Sequence, residues 1–196
     1  MNVCRIKEFW CNLKRTFFAV SISEETRDLL RNISKDIPEL KNNVRLVHPE
    51  NAHITIKFLG PTDENLIPQI IERIPFALKE VKMFEFKCEG TGVFPKVSRP
   101  RVLWLGINQG SENLKILSHK INNTLGMLKI NKDKRGFTSH ITLGRIKNNR
   151  KQVEGLEKFL SYSFQPTYNI VKSLIFYESV LTSKGAVYNP LRIFQL

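Results

Sequence analysis

The pattern His-Ile-Thr-aliphatic occurs twice, as His53-Ile54-Thr55-Ile56 and as His140-Ile141-Thr142-Leu143. Nothing else in the chain constrains its fold as much. Side chains two residues apart in a strand share a face. Each copy, read as a strand, therefore shows His and Thr on one side and two aliphatic residues on the other. The copies lie too far apart for a solenoid period, so they read as a duplicated half-domain. If an approximate two-fold axis relates the halves, the two His/Thr pairs face each other across a groove.

That arrangement suits displacement at phosphorus. An in-line reaction needs a base on the attacking side and an acid on the leaving side. Two imidazoles supply both, because histidine titrates near neutral pH. Threonine hydroxyls can donate to the non-bridging oxygens, where charge accumulates. Lys57 shares the parity of His53 and is a candidate cation for the phosphate. Arg145 has the opposite parity to His140 and reaches the groove only if a bulge or the strand end turns it. A single H-x-T strand is usually structural, a satisfied half-buried histidine beside a β-branched neighbour. Two copies in a chain of four histidines shift the balance toward function. His48, beside Pro49, reads as a loop residue. His119, within a helical stretch, reads as exposed.

Periodicity places the motifs in a mixed architecture. Residues 16–22 read as a central strand, followed by a helix capped at Ser23 and running to about Lys35. Strands are expected at 44–47, 53–59 (closed by Gly60-Pro61), 84–88, 101–107, 137–146, 170–180 and 187–194. Helices are expected at 64–80, 114–125 and 153–160. Gly90, Gly92 and Pro95 read as a loop, and the last two strands as a hairpin through Gly185. Trp104 reads as core rather than as a base-stacking platform. The alternation lacks a strict βαβ rhythm, so the class is α+β. Residues 1–14 read as an extension, either helical (Val3, Ile6, Trp10 and Leu13 at helical spacing) or disordered. Residues 15–196 read as one domain.

Charge points to a polyanion. The chain has 31 Lys+Arg against 18 Asp+Glu, a net charge of +13, and a field of that sign attracts nucleic acid. Arg45, Arg99, Arg101, Lys132, Lys134 and Arg135 are candidates for a basic track. The cysteines, Cys4, Cys11 and Cys88, follow no paired pattern, which suits a reducing compartment. With no CxxC and no HExxH, no metal site and no cofactor are expected. No apolar run is long enough to span a bilayer, and no secretory signal is evident. The expectation is a cytoplasmic protein, without membrane contact.

The sequence resembles the 2H phosphoesterases, which carry two H-x-T-x motifs. Within them it resembles the RNA 2′,3′-cyclic phosphodiesterase or 2′-5′ RNA ligase group. The resemblance rests on Arg15-Thr-Phe-Phe-Ala-Val, Val44-Arg-Leu-Val, Pro49-Glu-Asn-Ala-His-Ile-Thr-Ile-Lys-Phe-Leu-Gly60 and Gly92-Val-Phe-Pro95. It continues in Arg99-Pro-Arg-Val-Leu-Trp104, Ser139-His-Ile-Thr-Leu-Gly-Arg145 and Leu181-Thr-Ser-Lys-Gly-Ala-Val-Tyr188. It implies a two-lobed duplicated fold with pseudo-two-fold symmetry, antiparallel sheets lining a central cleft and helices outside. It implies metal-independent hydrolysis of RNA terminal 2′,3′-cyclic phosphate to a 2′-phosphate, and reversible 2′-5′ ligation by the same groups. His53 carries over as proton donor and His140 as proton acceptor, an assignment that the repeat itself cannot make. Thr55 and Thr142 carry over as phosphate binders, with Lys57 and Arg145 as further candidates. The implied partner is RNA with cyclic-phosphate ends, tRNA fragments included, acted on by a monomer. Ser139 stands where the family often has proline. The alternative is a module that binds RNA ends or a nucleotide without turnover.

Overall fold

Thr16 to Val20 are buried without a break, as a strand covered on both faces requires. In the computed structural model, which describes residues 12–130, 136–147, 152–183 and 185–196, this run forms the centre of β1 (Leu13–Ser21). Then follow α1 (Glu24–Asp36), α2 (Leu40–Asn43), β2 (Val44–Leu46), β3 (His53–Asp63), α3 (Ile67–Leu78), β4 (Phe84–Phe94) and β5 (Val102–Ile107). The chain continues with α4 (Ser111–Met127), β6 (His140–Ile146), α5 (Leu156–Leu160), β7 (Thr167–Val171), β8 (Ser173–Thr182) and β9 (Gly185–Gln195). The strands form two sheets, ordered β3-β1-β8-β9 and β2-β6-β5-β4-β7. Every strand pair in them is antiparallel, so the α+β class stands.

The two lobes exchange helices. α1 leaves β1 of the four-stranded sheet and packs on β7 of the five-stranded one. Its Thr26 hydroxyl meets Thr167 Oγ1 at 2.7 Å and donates to Asn169 Oδ1 at 3.0 Å. α4 leaves β5 and packs against β3. Leu114, Leu117 and Ile121 of α4 share one buried cluster with Ile54 and Ile56. Ser23 caps α1 as expected, its Oγ accepting from Thr26 N at 3.2 Å. Among the described residues no helix is long and apolar enough to cross a membrane.

Several boundaries differ from the periodicity reading. The strand expected at 170–180 is two strands, β7 and β8, in different sheets. Both halves are apolar enough to read as one run, and the chain changes sheet at Lys172. The loop expected around Gly90 and Gly92 lies inside β4. A register shift between Cys88 and Thr91 accommodates Gly90, whose φ of 76° suits glycine. β3 does not stop at Gly60 but passes through it to Asp63. Residues 137–139 precede β6 rather than belonging to it. α3 starts at Ile67, with Pro68 in its first turn. β1 begins at Leu13, inside the segment expected to be an extension, and residues 1–11 lie outside the described residues.

Candidate active site

The two motif strands approach one another, and their sheets repeat one another register for register. In the first, His53, Ile54 and Thr55 of β3 stand opposite Ser21, Val20 and Ala19 of β1. Ile56 is then skipped, and Lys57 and Phe58 stand opposite Phe18 and Phe17. In the second, His140, Ile141 and Thr142 of β6 stand opposite Gly106, Leu105 and Trp104 of β5. Leu143 is skipped, and Gly144 and Arg145 stand opposite Leu103 and Val102. Both strands therefore bulge three residues after the histidine. Each bulged residue has its carbonyl satisfied, Ile56 O by Ser118 Oγ at 2.9 Å and Leu143 O by Val47 N at 2.8 Å.

The bulges decide which side chains meet the cleft. Without them, parity puts residues four after each histidine on its face. With them, that face goes to residues five after it. Arg145 accordingly lines a pocket of about 130 Å³ together with His53, Thr55 and Thr142. Lys57 does not line it. It stands opposite Phe18 on the inner face of the sheet and is 2% exposed. Its expected place is taken by Phe58, with Arg15 beside it, the guanidinium carbon 4.6 Å from the ring centre. Arg15 also lines the pocket.

The imidazoles are held alike. Nδ1 of His53 lies 2.7 Å from Asn51 O, and Nδ1 of His140 lies 2.7 Å from Thr138 O. A carbonyl only accepts, so Nδ1 carries hydrogen in both rings and Nε2 is the nitrogen left to exchange protons. Nε2 of His53 is 3.1 Å from Thr55 Oγ1. The carbonyl of Asn51 comes from the 3₁₀ turn Pro49–Asn51, pinned by an ion pair between Glu50 and Arg31. The Asn51 side chain donates to Ala186 O at 3.0 Å, tying that turn to β9.

Both histidines are half-buried among aromatic rings. Phe17 stacks on His53 at 5.0 Å and Tyr188 meets its ring edge-on at 5.2 Å. Phe94 meets His140 edge-on at 5.0 Å. Burial is the main reason that His53 is held below the ordinary imidazole range. The Asn51 carbonyl works the other way, and the positive charges of His140 and Arg145 lower it further. Burial likewise lowers His140, opposed by the Thr138 carbonyl and reinforced by Arg145. His48 and His119 are exposed, outside the cleft.

Sequence reasoning missed Arg15, Phe58 and the aromatic collar, and misplaced Trp104. Trp104 stands opposite Thr142, so it shares the cleft face and is half-buried there. Alternation from Phe17 back to Arg15 could have signalled the first. Of the basic track, Arg45 pairs with Arg145 across β2 and β6 and is exposed. Arg99 and Arg101 are exposed at the β4–β5 connection, and Lys132, Lys134 and Arg135 lie outside the described residues. Among the described residues no group of three His, Cys, Asp or Glu side chains could hold a metal ion.

Known proteins resemble this chain in sequence and fold. The family model for LigT like phosphoesterases matches residues 20–104. An RNA 2′,3′-cyclic phosphodiesterase of Archaeoglobus fulgidus is 35% identical over 184 residues, which cover 92% of this chain and 99% of that protein. One from Aquifex aeolicus is 33% identical, over 93% of this chain and 97% of its own. A crystal structure of a Thermus thermophilus protein matches with a TM-score of 0.77 and 26% identity, covering 93% and 97% of the two chains.

Proposed function

The chain belongs to the LigT-like phosphoesterase family, and from that premise we propose that it opens RNA terminal 2′,3′-cyclic phosphates to 2′-phosphates by metal-independent acid/base catalysis. The observation that carries this reading is the matched pair of histidines. Each is fixed through Nδ1 to a carbonyl two residues upstream, which leaves Nε2 of each as the nitrogen that can exchange protons.

Water attacks phosphorus from the side of His140, whose Nε2 takes its proton. The P–O3′ bond breaks on the opposite side, and His53 Nε2–H delivers a proton to O3′. Thr55, Thr142 and Arg145 bind the non-bridging oxygens, where a preorganised donor is worth more than water. Arg145 can offer two N–H groups in one plane, matched to two phosphate oxygens. In the free site burial and mutual charge work against protonating His53. The phosphate anion supplies the compensating charge, so the acid form is favoured once substrate is bound. Product release leaves the protons exchanged between the two rings, and solvent resets them. A 5′-hydroxyl in place of water forms a 2′-5′ linkage through the same groups. The proposed working form is a cytoplasmic monomer acting on RNA ends, tRNA fragments included.

The test is end analysis of a cyclic-phosphate oligonucleotide treated with the protein in EDTA. A 2′-phosphate product is expected. Tight, salt-sensitive RNA binding without turnover would support the binding-module alternative instead.

A further inference from the structure

The cleft face of the five-stranded sheet carries a feature that its counterpart lacks. Trp104 stands opposite Thr142 on one side and Gly92 on the other, and Gly106 follows it on the same face. A Cβ built on Gly92 would fall 2.2, 2.4 and 2.7 Å from three consecutive atoms of the indole six-membered ring. Distances that close and that similar put the glycine beneath the ring's face, not its edge. A Cβ on Gly106 would come within 3.3 Å of the same ring. The indole thus lies flat on a patch of sheet stripped of side chains. Phe94 supports it at 5.1 Å. In the first sheet the equivalent position is Ala19, fully buried, with no platform.

Beside the indole an open pocket of about 490 Å³ extends past Gly106 and Thr138, whose carbonyl anchors His140. That volume lies within the roughly 300–1,000 Å³ of small-molecule sites. Its polar walls include Lys115 and the pair in which Asn108 Nδ2 donates to Glu89 Oε2 at 3.0 Å. A flat aromatic surface with polar groups at its edge is what a nucleobase requires.

The reaction geometry says which base. Nucleophile and leaving group lie on opposite sides of phosphorus. On the reading above, which this inference rests on, His53 serves the departing O3′ and His140 serves the nucleophile. A platform on the His140 side is of no use to water. We propose that Trp104 and its pocket bind the nucleobase of the nucleoside that supplies a 5′-hydroxyl, and so select a 2′-5′-linked dinucleoside unit over water. In the forward step the O5′–P bond forms and the O3′–P bond breaks. His140 takes the 5′-hydroxyl proton and His53 gives one to O3′. The reverse step cleaves a 2′-5′ diester to a cyclic phosphate and a free 5′-hydroxyl.

Two reactions of the same preparation test this. One is hydrolysis of a nucleoside 2′,3′-cyclic phosphate. The other is cleavage of 2′-5′-linked ApA. Trp104→Ala is expected to lower kcat/KM for the dinucleotide roughly 5- to 150-fold, the worth of one stacked base, while cyclic-phosphate hydrolysis stays within about threefold. Trp104→Phe keeps a stacking ring and breaks no hydrogen bond, since Nε1 has no partner among the described residues. It should recover most of the dinucleotide rate. A comparison on the unmutated protein needs no variant: adenosine 2′-methylphosphate, which has no second base, should react more slowly than the dinucleotide. Equal losses in both reactions, no loss in either, or equal rates on the methyl ester and the dinucleotide would overturn the subsite. So would cyclic-phosphate hydrolysis with no dinucleotide cleavage. Failure to hydrolyse the cyclic phosphate at all overturns the proposed function instead.

Discussion

The two halves of the cleft agree in how they hold histidine and threonine and differ five residues beyond the histidine. Both strands present His and Thr in the same register, bulge at the same position and anchor Nδ1 to a carbonyl two residues back. Five residues after the histidine they part company, with Phe58 in one half and Arg145 in the other. Four residues after it, Lys57 is buried in one half, and in the other Gly144 packs against β2. The first half recovers a cation from the neighbouring strand, as Arg15 over Phe58. On the proposed mechanism, duplication accounts for the acid/base pair, and divergence puts an arginine on the motif strand itself in one half and on its neighbour in the other.

The largest expected effect tests the shared part. His53→Ala and His140→Ala should each lower kcat on a cyclic phosphate by about 10²- to 10⁴-fold, the usual worth of a positioned acid or base. An activated leaving group should then separate them. With a p-nitrophenyl phosphodiester no proton is needed on the leaving oxygen, so His53→Ala should regain most of its loss and His140→Ala should not. Equal recovery in both variants would remove the division of roles.

The divergent position comes next. Arg145→Ala should cost on the order of 10²-fold in kcat/KM, as removal of one oriented donor does. Arg145→Lys should restore only part of it, because a point charge lacks the planar fork. Phe58→Ala, at the matching position, should cost far less than Arg145→Ala. A comparable loss would mean that the first half binds phosphate through Arg15 as held by Phe58.

How far the chain could be read in advance follows the same division. Strand parity found both His/Thr pairs, because positions up to two after the histidine precede the bulge. It put Lys57 in the cleft and Arg145 outside it, because one extra residue inverts every later side chain. A bulge has no composition signal here: Ile56 and Leu143 are ordinary strand residues, and their carbonyls are satisfied by Ser118 and Val47, distant in sequence. Trp104 was read as core for a related reason. An aromatic residue within an apolar strand looks buried until Gly92, on a neighbouring strand, is known to lie under it.

Packing behind the bulge gives a smaller effect, on stability. A Cβ at Gly144 would fall 2.5 Å from Val44 Cγ1 and 3.0 Å from Arg45 O. Val44 is buried and cannot give way freely. Gly144→Ala should therefore destabilise the fold by about 1–3 kcal/mol, the usual cost of overpacking, seen as a lower urea midpoint. An unchanged midpoint would show that β2 can move off β6.

The smallest expected effects are electrostatic, and they set the halves against each other. Both histidines are held below the ordinary imidazole value of about 6.5. Between their folded pKa values and 6.5 the unfolded chain binds more protons than the native one. Stability should thus rise with pH across that window and be lost as pH falls through it. Urea midpoints from pH 5 to 7 test the sign. For catalysis one ring must be neutral and the other protonated, so kcat/KM should peak on the acid side of about 6.5. The charge of His140 is one of the causes that lower His53. Its removal in His140→Gln should move the His53 titration, followed by imidazole NMR, toward higher pH. Arg145 lowers both rings, so Arg145→Gln should raise both. Neither change touches the burial that dominates each ring, so the shifts should be partial, with both rings still below 6.5. A full return to 6.5 in either variant would mean that neighbouring charge, and not the aromatic surroundings, holds the imidazoles neutral.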